Sequence, residues 1–200
     1  MYKMESVDFR GLAGQKSHIR PLSVADVESC VRVESTFPEQ ERCTREKFIY
    51  RLTVSPELCL GLFADKADNS PAELIGHVIA TRVPFDRVTD GSMEMPKDWT
   101  GGSEVVHVAG QVIGNDPQGR GIGVHGLVIV PEYQGKGLGR DLMNHYIQYA
   151  RALARPADSI VIIAHDHLLK FYESFGFKNL GPSACDFGGG GWYDMALNFK

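Results

Sequence analysis

The sequence predicts a mixed α/β domain, and three observations carry the prediction. Residues 160–164 are Ile, Val and Ala without a break, a run of the kind buried in the middle of a sheet. Residues 127–130, L-V-I-V, form a second apolar strand, which Pro131 ends. After it, Gly135, Gly137 and Gly139 bring three glycines into six positions before a helical pattern begins near Gly139. Strand, glycine turn and helix in that order describe an α/β chain with one strongly marked connection.

The remaining elements follow in chain order. Residues 1–16 lack periodicity and carry Gly11 and Gly14, so they are expected as an N-terminal tail, with one domain over 17–200. A short first strand is expected at 19–22. Ser23 followed by Asp26 has the spacing of a capping box, and Val24, Val27 and Val31 recur at helical spacing to about Ser35. Residues 36–43, T-F-P-E-Q-E-R-C, read as a loop holding Pro38, Glu39 and Glu41, and a second helix is expected over 44–52. Residues 58–64 and 74–83 are strand-like about a turn of Asp, Asn, Ser and Pro at 65–71, which predicts an antiparallel hairpin. From 84 to 123 the chain is irregular, with a single strand expected at 105–112. That is longer than the ~12 to 15 residues usually found without function, and such a loop serves as a lid or binding wall, or as surface decoration. A strand at 124–130 leads into the glycine turn. Leu142, Tyr146 and Tyr149, flanked by Met143, Ile147 and Ala150, line one face of a helix reaching about 154. A short helix stops at Gly176, Gly188 to Gly191 make a flexible turn, and 192–199 alternates as a final strand.

Composition bounds the function. At 43% hydrophobic and 23% charged residues, 200 residues suit one soluble globular domain with a full core. Nothing approaches the ~20 apolar residues of a membrane span, and the first residues have no signal-peptide core, so a cytoplasmic protein that does not enter membranes is expected. A net charge of −4 leaves no electrostatic footprint for nucleic acid. Cys30, Cys43, Cys59 and Cys185 are widely spaced with no C-x-x-C pair, which argues for reduced thiols and against a metal site.

The glycine turn has the chemistry of an anion site. Its backbone can present several N–H groups to one point, the helix adds unpaired amides and the positive end of its dipole, and Lys136 and Arg140 add full charges. A diphosphate is the expected ligand. A nucleotide P-loop is excluded because Lys136 is followed by Gly137 and not by Ser or Thr. The literal G-x-G-x-x-G at Gly121, Gly123 and Gly126 precedes a strand, where a dinucleotide fingerprint has no mechanism. A turn with no ligand is the remaining alternative on these residues alone.

Gln134, Gly137 and Gly139 match the coenzyme A motif of the GCN5-related N-acetyltransferase (GNAT) superfamily. V-H-G-L-V-I-V-P-E-Y-Q ahead of that motif, I-I-A-H-D-H-L-L-K-F-Y-E-S-F-G-F-K-N-L-G-P after it, and P-E-L-C-L-G-L-F at 56–63 resemble its arylalkylamine and fungal polyamine acetyltransferases. The resemblance covers roughly 18–199. It implies a mixed, mostly antiparallel twisted sheet with helices on both faces, whose fourth and fifth strands, at 124–130 and 160–164, run parallel and splay apart. Acetyl-CoA would enter that split, its pantetheine arm pairing with the strand edge as an added strand would.

The resemblance also implies roles. The cofactor would contact Leu127, Val128, Ile129, Gln134, Gly135, Lys136, Gly137, Leu138, Gly139, Arg140, His165, Lys170 and Phe171. A backbone N–H near 127–129 would stabilise the oxyanion. Tyr172 matches the tyrosine that protonates the departing thiolate. His125 falls on the second histidine of an H-x-H pair whose first position is Gly123 here, so half of that pair is present. Glu39 and Glu41 are rival bases, because related insect enzymes use a glutamate near this loop. Phe37, Pro38 and Trp192 would wall the acceptor pocket, with Glu39, Glu41 or Asp194 attracting a second ammonium. His107 and His167 have no comparable positional argument. The expected activity is acetyl transfer from acetyl-CoA to a small primary amine, an arylalkylamine or a polyamine, by a monomer or weak dimer. Protein N-termini or lysines are the alternative acceptors, and a CoA-binding sensor or scaffold is the non-enzymatic alternative.

Overall fold

The computed structural model describes residues 5–66, 70–84, 87–99 and 105–199. Residues 67–69 of the expected turn, 85–86 and 100–104 of the long connection, and 1–4 of the expected tail lie outside that set. In chain order the strands are β1 (Glu5–Val7), β2 (Ser17–Pro21), β3 (Leu60–Ala64), β4 (Glu73–Val83), β5 (Val106–Val108), β6 (Gln111–Ile113), β7 (Gly121–Ile129), β8 (Ser159–Ala164), β9 (Lys178–Pro182) and β10 (Tyr193–Asn198). The helices are α1 (Val27–Glu34), α2 (Arg45–Val54), α3 (Asp90–Met93), α4 (Leu138–Arg151) and α5 (Leu169–Glu173).

The chain divides into two compact units, Met1–Ile79 with Gly126–Tyr149 and Ala80–His125 with Ala150–Lys200. Strands β4 and β7 contribute to both. In the first unit the strand order is β1-β2-β3-β4-β7, and in the second β4-β7-β8-β10-β9. Val130 N–H donates to Ile75 C=O (2.9 Å) while Thr81 meets His125, so β4 and β7 run antiparallel. The β7–β8 pair is parallel, from Gly121↔Ser159 to Gly123↔Val161. The architecture is a mixed, mostly antiparallel sheet with helices on both faces.

In the first unit, Val27, Cys30, Val33 and Glu34 form the buried stripe of α1. Ahead of it, the Asp26 carboxylate accepts from Ser23 N–H (2.9 Å) and takes two bonds from the Arg20 guanidinium (2.7 and 2.9 Å). Burial pushes Asp26 up, but the Arg20 and Ser23 hydrogen bonds outweigh it and hold the carboxyl below its ordinary value. Thr44 Oγ1 accepts from Lys47 N–H and caps α2. Leu138, Leu142, Met143, Tyr146 and Ile147 bury one face of α4, as the periodicity predicts. The tyrosines fix it further: Tyr146 Oη donates to Leu58 C=O (2.9 Å) and Tyr149 Oη to Glu57 C=O (2.7 Å), which gives P-E-L a structural purpose. Gly76 in β4 is required, because a Cβ there would meet the Val128 carbonyl at 2.7 Å.

Two expectations are corrected, and one strand had no forecast. The N-terminal segment is a built part of the first unit: β1 pairs with β2, Leu12 is buried, and a Cβ on Gly11 would come within 2.6 Å of the Lys136 carbonyl. Its three-residue strand was too short for periodicity to register. The single strand expected at 105–112 is a hairpin of β5 and β6, because Ala109 (φ 50°) and Gly110 (φ 81°) form a two-residue turn between them. Strand β9 has no signature of its own. Only pairing with β10 makes K-N-L-G-P a strand.

Candidate active site

In the first unit, β7 ends at Ile129 and a 3-10 turn over Pro131–Tyr133 redirects the chain. Gln134 secures the redirection: its Nε2 donates back to Ile129 C=O (2.8 Å). The motif glutamine is thus the latch of the turn. Gly135 (φ 70°) and Gly137 (φ 81°) occupy the left-handed region, and a Cβ at either would meet nothing within 4 Å. No described residue accepts from the Gly135, Lys136 or Gly137 amide. Those amides and the Leu138 and Gly139 amides at the start of α4 make an open cluster of donors, with Lys136 and Arg140 exposed beside it. Lys136 Nζ sits 4.9 Å from the Tyr133 ring centroid, and Leu138 is buried as the first hydrophobic anchor of α4. The donor set fits a diphosphate.

The candidate acceptor residues of this unit share one short segment. Pro38 precedes a 3-10 turn, Glu39–Glu41; Pro38 and Glu39 are exposed, Phe37 and Glu41 half-buried. Arg42 Nε donates to Phe37 C=O (2.6 Å) and Phe37 N–H to Glu34 C=O (3.0 Å), so the segment is braced internally.

In the second unit, β8 keeps its ladder with β10 to Ala164, while its parallel ladder with β7 is formed only to Val161. His165 and the short α5 follow. Tyr172 is the buried residue of α5, edge-on to Phe171 (5.1 Å) and to Phe177 (5.7 Å). Burial alone pushes its hydroxyl up to about 12. Phe171 also packs edge-on against Phe175 (5.0 Å), and Lys170 is exposed. Trp192 stacks on His165 at 3.9 Å between centroids and donates Nε1–H to Phe187 C=O (2.7 Å). His167 extends the stack, 5.8 Å from His165, a participant the sequence did not single out. Four consecutive left-handed glycines, Gly188 to Gly191, deliver Trp192 to that position. Asp194 is not a free charge: it accepts from Ser183 Oγ (2.7 Å) and from Arg87 (3.4 Å).

His125 stands apart from these residues in its partners. Its Nε2 meets Thr81 Oγ1 at 2.7 Å and its Nδ1 meets Met93 Sδ at 3.2 Å. Neither partner was legible in the sequence, because each is set by a strand or helix more than thirty residues away. His77 was missed as well, although a histidine inside the apolar strand L-I-G-H-V-I-A is a signal that a pattern search can find. Among the described residues no cluster of three or more His, Cys, Asp or Glu is placed to hold a metal, and no helix is long and apolar enough to cross a membrane.

Comparison with known proteins bears on the family and the fold. A family model described as an acetyltransferase (GNAT) domain matches residues 72–199. The chain is 25% identical to the serotonin N-acetyltransferase of Mesocricetus auratus over 190 residues, 94% of this chain and 75% of that protein. Among solved structures, the loading GNATL domain of CurA from Lyngbya majuscula superposes with a TM-score of 0.64 at 14% identity, covering 91% of this chain and 97% of that one. The PaiA N-acetyltransferase of Thermoplasma acidophilum, solved with coenzyme A, gives 0.56 at 17% identity, covering 92% and 99%. With an open amide cluster between strand and helix, and a family model matched over more than half its length, the chain belongs to the GNAT acetyltransferases, enzymes that take their acetyl group from acetyl-CoA.

Proposed function

We propose that this acetyltransferase acts on the primary amine of small molecules, arylalkylamines first and polyamines second. The observation that carries the acceptor class is the likeness to a serotonin N-acetyltransferase across 94% of the chain. The flat Trp192–His165 stack supports it, since an aromatic amine gains most from a flat aromatic surface. Burying a phenyl or indole ring is worth roughly 1.5 to 3 kcal/mol, whereas exposed carboxylates such as Glu39 contribute ~0 to 1 kcal/mol toward a second ammonium. The aromatic term therefore ranks above the polyamine term.

In this reading the amides of the glycine turn, with Lys136 and Arg140, hold the diphosphate, and a backbone N–H of 127–129 receives the charge that develops on the carbonyl oxygen. The bound thioester supplies the activated acetyl group. Tyr172 donates a hydrogen bond to the departing sulfur. Full proton transfer would run uphill, from about 12 to the ~8.5 of an ordinary thiol, so the hydroxyl stabilises the sulfur without surrendering its proton early. His125 is the proposed base. It must release a ring nitrogen from Thr81 or Met93 to act, and the exposed Glu39 is its rival. The pH profiles of His125→Gln and Glu39→Gln decide between them, since only loss of the true base removes the acid limb.

The test of the acceptor class is thiol release from acetyl-CoA across tryptamine, phenethylamine, putrescine, spermidine and N-terminal and lysine peptides. Turnover of both amine classes with lower KM for arylalkylamines is expected. Turnover confined to peptides would replace this reading with a protein acetyltransferase, and CoA binding without turnover would replace it with a sensor or scaffold.

A further inference from the structure

Glu34 closes α1, and both its backbone and its side chain are spent on the loop that follows. Its C=O accepts from Phe37 N–H (3.0 Å) at the start of that loop. Its carboxylate Oε2 accepts from Cys43 N–H at the end of it, at 2.6 Å. One residue therefore clamps both ends of the segment that carries Phe37, Pro38, Glu39 and Glu41. The other carboxylate oxygen, Oε1, lies against β7: a Cβ built on Gly126 would sit 3.0 Å from it. Gly126 immediately precedes Leu127–Ile129.

The side chain is 3% exposed, a poor place for a carboxylate that only braces a loop. His77, fully buried in β4, holds Nε2 at 3.9 Å from Oε1, and neither of its ring nitrogens has a hydrogen-bond partner among the described residues. The buried Arg51 guanidinium reaches the Cys43 sulfur at 3.4 Å. A carboxylate, an imidazole and a guanidinium thus converge behind the loop within the first unit, where aliphatic side chains would pack with less cost.

We propose that Glu34 is the positioning residue of the acceptor loop, fixing residues 36–43 to the β7 backbone at Gly126, so that amine recognition depends on it and cofactor binding does not. The proposal rests on the reading of this loop as part of the acceptor site.

The experiment compares Glu34→Ala, Glu34→Gln and Gly126→Ala in the full chain. It measures amine KM, CoA affinity by calorimetry, thermal unfolding, and amide hydrogen exchange over 36–43. Glu34→Ala should raise the amine KM by more than about tenfold, the scale of a lost charge-assisted hydrogen bond, with CoA affinity within about twofold. Exchange at Cys43 and across the loop should quicken while α4 stays protected. Glu34→Gln keeps an oxygen for Cys43 N–H and should restore most of the KM. Gly126→Ala, whose new methyl displaces Oε1, should raise KM in the same direction by less. Parallel loss of CoA affinity and amine KM, equal damage from Gln and Ala, or unchanged loop exchange in Glu34→Ala would each overturn the proposal. If wild type uses only peptides, the small-amine reading fails by itself. The clamp is then decided by loop exchange and by KM for the peptide.

Discussion

The glycine turn at 134–140 and the surroundings of Tyr172 solve opposite electrostatic problems. The turn is exposed, its glycines lie in the left-handed region, and its amides point at no described acceptor. Tyr172 is enclosed by Phe171 and Phe177, and burial alone raises its hydroxyl to about 12. A site that binds a permanent dianion keeps many weak donors in water and needs no burial, because the charge is already there. A group that serves charge only as it forms is better held dry and neutral. Under the proposed function, binding falls to backbone and chemistry to a desolvated side chain.

The substitution expected to break the first half most severely is Gly137→Glu. It forces a side chain into φ 81° and sets a negative charge among the proposed diphosphate donors, while its Cβ meets no neighbour. CoA binding should be lost beyond ~1000-fold in a protein that still folds, the φ strain costing only about 1 to 2 kcal/mol. Calorimetry decides, and undiminished affinity in a folded variant would remove the anion site.

Tyr172→Phe attacks the second half. It should lower the rate ~100- to 10,000-fold and leave acetyl-CoA affinity nearly unchanged, since in the proposed mechanism the hydroxyl matters only as the sulfur departs. A rate within about twofold of wild type assigns Tyr172 to packing. The same residue gives a pH signature. Its folded hydroxyl titrates near 12 and an unfolded one near 10, so its contribution to stability is complete below about 10 and is lost between about 10 and 12. Chemical denaturation across that range should show the loss in wild type and a shallower one in Tyr172→Phe.

Trp192→Ala tests whether the aromatic stack selects the acceptor. Removing the ring that covers His165 should erase the preference for tryptamine over putrescine, a change of roughly 10- to 100-fold in relative kcat/KM. Unchanged selectivity would return Trp192 to the core. The smallest effect is expected from Lys136→Ala. An exposed charge contributes ~0 to 1 kcal/mol, so CoA affinity should fall no more than about fivefold, and the difference should vanish in high salt. A larger, salt-independent loss would shift the burden of anion binding from backbone to side chain.

The sequence by itself determined the elements whose residues speak locally. The apolar run of β8, the strand, turn and helix around Gly137, the stripe of α4 and the β3–β4 hairpin all stand where periodicity and turn chemistry put them. Each is governed by interactions within a few residues, or by a pattern that only one face of one element can satisfy. Tertiary structure alone decided the rest. Strand β9 exists because β10 lies beside it, and β1 because β2 does. His125 acquires its partners from Thr81 and Met93, Trp192 its place from His165, and Glu34 its clamp from Cys43, His77 and Gly126. A hydrogen bond or a stacked ring between residues tens of positions apart leaves no periodicity in the chain, so only the folded backbone could say which polar groups meet.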